Sequence, residues 1–287
     1  MKCALLAVAT AAFAAPRFTI AEIEPGSVEV REDGKPVLVY SASPQLKAGV
    51  SERYRRGCYV HPLWAPDGTV VTDDFPADHL HHRGLSWMWP EVFWRGRQFD
   101  MWVPGELQDR FVKWHERKAD GKIASLRVEN GWFLGEQHAL RETVALTIHP
   151  VKGMARDLDV DLEFAALDGP VTLRGVTPDK KGYGGLVIRF APRTATKVTV
   201  PGEDDAKDSN LRPLPWAELE GVFAGKRAGA RITIDPSNPG FPNGWCLRHY
   251  GFLGVNFPGL TGHTIEPGRP LRMKYRVTVF ARGETRP

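Results

Sequence analysis

Apolar and polar residues alternate along much of this chain. In LDVDLEF, Leu158, Val160, Leu162 and Phe164 share one side, while Asp159, Asp161 and Glu163 share the other. A period of two is the pattern of a strand with one buried face. HALRETVALTIHP alternates in the same way, and short β-branched runs follow in PVTLRGV, GGLVIRFA, ATKVTVPG, ARITIDP and RMKYRVTVFARG. SVEVRED and GKPVLVY read as a hairpin about a glycine-containing turn. In KIASLRVENGWFLG, Asn130-Gly131 stands between two strand-like runs and marks a turn or a bulge. PWAELEGVFAG has room for one helical turn, and EDDAKDSN (203–210) reads as a surface loop. Helical periodicity is otherwise nearly absent. At least ten such runs, punctuated by 29 Gly and 23 Pro, predict an all-β chain: a large antiparallel β-sandwich with few short helices.

The ends and the composition refine this. MKCALLAVATAAFAAP carries one lysine and then an apolar run closing on Ala12-Phe13-Ala14, an A-x-A cleavage pattern. Residues 1–14 are therefore expected to be a secretory signal peptide, and residues 15–287 one exported, periplasmic or extracellular, β domain. No other run approaches the ~20 apolar residues of a membrane span. The net charge of +4 is mild, and no Lys/Arg block with interleaved aromatics is present, which argues against nucleic-acid binding. Past the signal, Cys58 and Cys246 either pair in an oxidising compartment or are two separate buried thiols.

Candidate chemistry gathers in three stretches. The first is DHLHHRGLSWMW, where His79, His81, His82 and Arg83 precede Trp87 and Trp89. Prolines upstream break regular structure, so these histidines close a loop and enter a strand beginning near Leu85. The second is DKKGYGGLVIRF: glycines surround Tyr183, so it can project into a cleft, and a strand then carries Arg189. Lys180 and Lys181 read as solvated. The third is NPGFPNGWCLRHYGF, turn-rich, with Trp245, Arg248 and His249.

Two chemistries fit the histidines. Imidazoles titrate near neutrality and serve as acid, base or donor to a hydroxyl or ring oxygen. Alternatively His79 and His81, two apart on an extended chain, join His249 (or His61, or Asp74) as ligands to copper or zinc. The bland alternative is that they cap loops and the tryptophans pack in the core. No serine-nucleophile elbow is present, and no spacing signals a carboxylate pair.

These segments, with HPLWAPDG, LPW and the closing IEPGRPLRMKYRVTVF, resemble the PmoA-like family, a bacterial domain of unknown function labelled methane oxygenase. The likeness runs over nearly all of the mature chain. More remotely, the chain is similar to galactose mutarotase-like supersandwiches, which also close on a PGE or PGR turn followed by a long final strand. That resemblance implies sugar binding on a concave sheet and catalytic histidines at loop-to-strand junctions. It places His81, His82 and Arg83 where such folds hold hydroxyl and ring-oxygen donors. Where a mutarotase has a glutamate base, WCLRHYGF offers only His249.

The expectation is thus a carbohydrate-active protein acting on a glycoside or modified sugar, as a hydrolase, lyase or epimerase. His81 and His82 supply protons, His249 is the opposing base and Arg83 binds oxyanions. His61, His79, Trp87, Tyr183, Arg189, Trp245 and Arg248 bind substrate. No cofactor is favoured; the alternatives are a non-catalytic sugar-binding module and the histidine-ligated copper or zinc protein.

Overall fold

The computed structural model describes residues 17–103 and 105–283, so the expected signal segment lies outside the described residues. The chain folds as an all-β antiparallel sandwich. One nine-stranded sheet runs, in spatial order, Phe18–Glu24, Ser27–Glu32, Lys35–Ser41, Tyr59–Leu63, Leu85–Met88, Gly185–Arg189, Phe252–Asn256, Gly244–Arg248 and Ser209–Asn210. The other runs Glu203–Asp204, Thr194–Val200, Trp216–Phe223, Lys226–Ile234, Leu271–Ala281, Ala155–Ala166, Gln137–Ile148, Ala124–Leu134 and Leu107–Ala119. A four-stranded sheet of His263–Ile265, Val171–Arg174, Glu91–Trp94 and Arg97–Phe99 adds Val92, Trp94, Val171 and Leu173 to the same core. Among the described residues no helix is long and apolar enough to cross a membrane.

The alternation read from the sequence is what builds the second sheet. Leu158, Val160, Leu162 and Phe164 are all buried, as are Leu271, Met273, Tyr275, Val277 and Val279 on the paired strand. Each such side chain stabilises the fold by about 1.5–3 kcal/mol on leaving water. On the outer face the register sets Asp159 opposite Arg276 and Glu163 opposite Arg272. Both arginines bond those carboxylates, at 2.7 and 2.8 Å. These exposed pairs are worth roughly 0–1 kcal/mol each and chiefly reinforce register.

Two local expectations change, and one open alternative is decided. Asn130-Gly131 is not a turn but lies inside the continuous strand Ala124–Leu134, and the bulge falls opposite it, where the register of Leu107–Ala119 shifts between Phe111 and Lys113. A Cβ on Gly131 would stand 2.3 Å from the His138 ring, which stacks on Phe133; the glycine clears space for that ring. PWAELEGVFAG forms the strand Trp216–Phe223, because both its neighbours in the sheet offer a ladder that one helical turn would forfeit. Cys58 and Cys246 are separate buried thiols. Burial pushes the Cys58 thiol up and the Cys246 thiol to about 11.

The sheets are joined by a buried polar clasp. The Glu142 carboxylate accepts from Trp87 Nε1 at 2.9 Å, Asn130 Nδ2 at 2.8 Å and Trp132 Nε1 at 3.0 Å. Asn130 also donates to the Tyr40 hydroxyl. Trp87 and Tyr40 belong to the first sheet, and Glu142, Asn130 and Trp132 to the second. Trp87 therefore spends its indole N–H inside the sandwich, not on a sugar cleft. Trp245 is likewise core: it is fully buried and donates to the Leu214 carbonyl.

Candidate functional site: a histidine and aromatic cavity

A cavity of about 300 Å³ opens over the first sheet, lined by His79, His81, His82, Trp102, Lys181, Tyr183, Cys246, Arg248, Tyr250 and Phe252. Three loops and one hairpin build it, and each has a local reason for its shape.

The histidine loop is two successive turns, His79 N–H to the Pro76 carbonyl and His82 N–H to the His79 carbonyl. Arg83 locks it from below. Its guanidinium is 1% exposed, bonds Asp74, the Leu80 carbonyl and the Tyr54 carbonyl, and lies 3.4 Å above the Phe75 ring. Arg83 is thus an anchor of the loop and not an oxyanion binder, because it is buried beneath the cavity and absent from its lining. Arg189, also buried, grips Asp78 through both carboxylate oxygens at 2.6 and 2.8 Å and sits 4.8 Å from the Tyr250 ring. Asp78 in turn lies 3.0 Å from His79 Nδ1. Burial raises the Asp78 carboxyl, but the bonds from Arg189 and His79 outweigh it and hold it at about 2. Arg189 therefore positions the histidine loop from outside the lining.

The result is a continuous aromatic wall. His79 is stacked between His82 (4.6 Å, 5°) and Tyr250 (5.2 Å, 13°). His81 meets His82 and Trp102 edge-on, and Trp102 meets Tyr183 edge-on. Asp100 fixes Trp102 by accepting its backbone N–H at 2.7 Å. Gly182, at φ +63°, lets the Tyr183 loop pass so close to Leu211 that a Cβ would stand 2.5 Å from its Cδ2.

The electrostatics are one-sided. No carboxylate lines the cavity among the described residues. Arg248 is held by neutral acceptors alone, the carbonyls of Ser209 and Leu247 and the Asn210 side-chain oxygen. Lys181 lines the wall with the exposed Asp179 3.4 Å away, so it is not simply solvated. Burial, reinforced by neighbouring cations, pushes His81 down to about 4 and His82 to about 2. Both are therefore neutral at pH 7, each able to donate one N–H bond and accept another. They do not start as imidazolium acids, as the sequence alone led one to expect. Burial raises the Tyr183 phenol, which stays protonated. His82 Nδ1 and Trp102 Nε1 find no hydrogen-bond partner among the described residues.

Of the residues picked out from sequence, His79, His81, His82, Tyr183 and Arg248 meet in this cavity. His249 does not. The turn after Arg248 throws its ring outward, where Asp208 (2.7 Å) and Asp205 (3.1 Å) bracket it. Tyr250, one residue on, takes the place expected of His249. His61 bonds Thr72 at 3.0 Å away from the lining. The candidate metal set His79, His81 and His249 is accordingly not assembled, and no group of three or more His, Cys, Asp or Glu is arranged to hold a metal among the described residues. Sequence reasoning missed Trp102, Tyr250 and Phe252. The Asp100-x-Trp102 turn was the one available signal for the first.

Fold and cavity together define an antiparallel β-sandwich with a cationic, histidine-rich aromatic pocket. The chain belongs to a family of unknown function, DUF6807, which it matches over residues 27–286. That description gives no support to the methane-oxygenase label of the PmoA-like resemblance. A comparison with curated proteins finds no match. Among solved structures, the chain is similar to the heparan sulfate lyase HepC from Pedobacter heparinus, at 9% identity and a TM-score of 0.40, over 96% of this chain and 36% of that one. It is similar to a heparinase III at 9% identity and 0.38, over 97% and 37%. It also resembles a candidate mutarotase from Salmonella typhimurium at 10% and 0.35, over 88% and 83%. The chain thus spans little more than a third of either lyase.

Proposed function

We propose that the cavity binds a saccharide bearing a carboxylate, such as a uronate, and acts on it by proton transfer of the elimination or epimerisation type. The observation that carries this reading is the charge balance of the lining: Arg248, on neutral acceptors, and Lys181, whose partner Asp179 lies outside the lining, stand among neutral imidazoles and aromatic rings, with no carboxylate in the lining itself. Rings of Trp102, Tyr183 and Tyr250 offer faces and edges to a pyranose, and cations answer its carboxylate. Hydrolysis by paired carboxylates has no residues to perform it here.

In this reading a uronate carboxylate sits against Arg248 and Lys181. Neutral His81 removes the proton on the carbon next to the carboxylate, and the electron pair moves onto the carboxylate oxygens facing the cations. Collapse of that enolate either expels the β-oxygen, which takes a proton from the Tyr183 phenol, or takes that phenolic proton at carbon from the other side; in either case Tyr183 is reprotonated from solvent as His81 releases the proton it removed. The low proton affinity of the empty cavity's histidines is lifted by the ligand's own negative charge.

Incubation of the protein with uronate-containing oligosaccharides in D₂O tests this. Deuterium at the carbon next to the carboxylate, or ultraviolet absorbance from a new C=C bond, supports it. Absence of both, together with absence of binding, removes the reading. Binding without either product leaves a sugar-binding module, which the depressed His81 and His82 favour as the second reading.

A further inference from the structure

Strand register places a second cavity on the same hairpin face as the first. In the hairpin Gly244–Arg248 and Phe252–Asn256, Gly244 faces Asn256, Cys246 faces Gly254 and Arg248 faces Phe252. These residues lie on one face, while Trp245, Leu247, Leu253 and Val255 on the other are fully buried. Arg248, Cys246 and Phe252 line the first cavity. Gly244 and Asn256 line a second, of about 430 Å³, completed by Asn243, Phe257, Thr261 and His263 among others. At about 3.3 Å per residue, Gly244 lies roughly 13 Å along the strand from Arg248. Gly254 leaves the floor between without a side chain, and Leu211, whose backbone lies 3.0 Å from a Cβ built on Gly244, forms the partition.

The second cavity differs in chemistry. None of its lining residues carries a charge, and burial lowers the His263 imidazole, so it is neutral at pH 7. Asn256 is 3% exposed, yet neither its amide oxygen nor its amide nitrogen has a partner among the described residues. A buried amide left open at both ends is costly, and a ligand offering a donor beside an acceptor offsets that cost. Adjacent hydroxyls, or an acetamido group, have that arrangement. His263, packed against Phe257 at 5.2 Å, supplies a ring for the sugar face.

We infer that the Asn256 cavity is a second saccharide subsite, taking an uncharged ring of the same chain whose acidic ring occupies the histidine cavity. This deepens the saccharide reading and rests on it. The ligand is then an oligosaccharide mixing acidic and neutral units, and Asn256 and His263 select the neutral one.

Histidine-labelled protein, followed by NMR, tests the two cavities separately. Glucuronate is expected to move the His81 and His82 signals; if it does not, the uronate reading fails. N-acetylglucosamine is expected to move His263, and Asn256→Leu to abolish that shift without lowering Tm, since it removes an unpaired amide. A silent His263, or a shift unchanged in Asn256→Leu, overturns the second subsite whatever glucuronate does. Should Asn256→Leu fail to fold, Asn256→Ser carries the same comparison. In the intact protein a glucuronate-containing tetrasaccharide should bind at least tenfold more tightly than glucuronate, and the variant should lose that gain. Equal affinity for the two in the native protein overturns the inference.

Discussion

The Glu142 clasp yields a sharp test of where Trp87 belongs. Replacing Glu142 by Gln keeps shape and removes charge. Burial raises the Glu142 carboxyl from 4.5 to about 6, against the bonds from Asn130, Trp87 and Trp132 that lower it. Its folded value thus lies above its unfolded one. Its contribution to stability is complete below pH 4.5 and is lost as pH rises through about 6. At about 1.4 kcal/mol per pH unit, the loss reaches about 2 kcal/mol by pH 7.5. Glutamine has no such term, but its amide nitrogen faces one of three donors and leaves an N–H unpaired, costing about 1–3 kcal/mol at every pH. The variant should be less stable than the native protein at pH 4.5 and recover about 2 kcal/mol relative to it by pH 7.5. Urea titrations across that range measure the difference, with Trp87 and Trp132 fluorescence as reporters. A difference that stays flat within about 0.5 kcal/mol refutes the reasoning, and Trp87 returns to consideration for the cleft.

The histidine pair has the opposite sign. Burial depresses His81 to about 4 and His82 to about 2, so their contribution is complete above pH 6.5 and is lost as pH falls toward 4. Double substitution to Gln should flatten that acid limb in urea titrations. Binding of glucuronate at pH 6 should be accompanied by proton uptake, read by calorimetry in buffers of different ionisation enthalpy; no uptake counts against His81 and His82 facing the anion. Trp102→Phe removes an unpaired indole N–H, so Tm should change by less than about 4 °C while affinity for a glucuronate oligosaccharide falls roughly 10- to 100-fold. Equal affinity would show that the indole never met the ligand. Arg248→Met should cost affinity at least tenfold and reduce its salt dependence. Reducing agent should leave Tm unchanged, because Cys58 and Cys246 are separate.

Strand alternation made the sandwich legible, since burying one face of Ala155–Ala166 or Leu271–Ala281 needs only a period of two. The approach to Leu85 and the convergence of DHLHHRG, GYGG and CLRHY were legible for a related reason: loops that interrupt such strands gather at sheet ends. What failed was parity at turns. Arg248 ends a strand with its side chain over the cavity, and no local pattern tells that the next ring, His249, turns out to Asp205 and Asp208 while Tyr250 turns in. Trp87 and Arg83 failed differently. Both residue types suit a sugar site, but their partners, Glu142 at 55 positions away and Tyr54 at 29, are visible only once the sheets have packed.

The charge of the cavity follows from where the neighbouring acids are used. Asp74 holds Arg83 and accepts from Tyr59; Asp78 holds Arg189 and His79; Glu91 holds Arg174 and the Thr177 backbone; Asp205 and Asp208 hold His249. Each of these carboxylates fixes a loop from behind the wall, leaving Arg248 on neutral acceptors and His81 and His82 against neighbouring rings. A substrate carboxylate would complete that arrangement, whereas a neutral sugar alone would leave the Arg248 charge unanswered. The uncharged second cavity on the same hairpin face carries no such demand. If the proposed reading holds, the two together call for a chain with acid at one point and hydroxyl or amide chemistry roughly 13 Å along the strand direction, which is a stronger constraint on the ligand than either cavity sets alone.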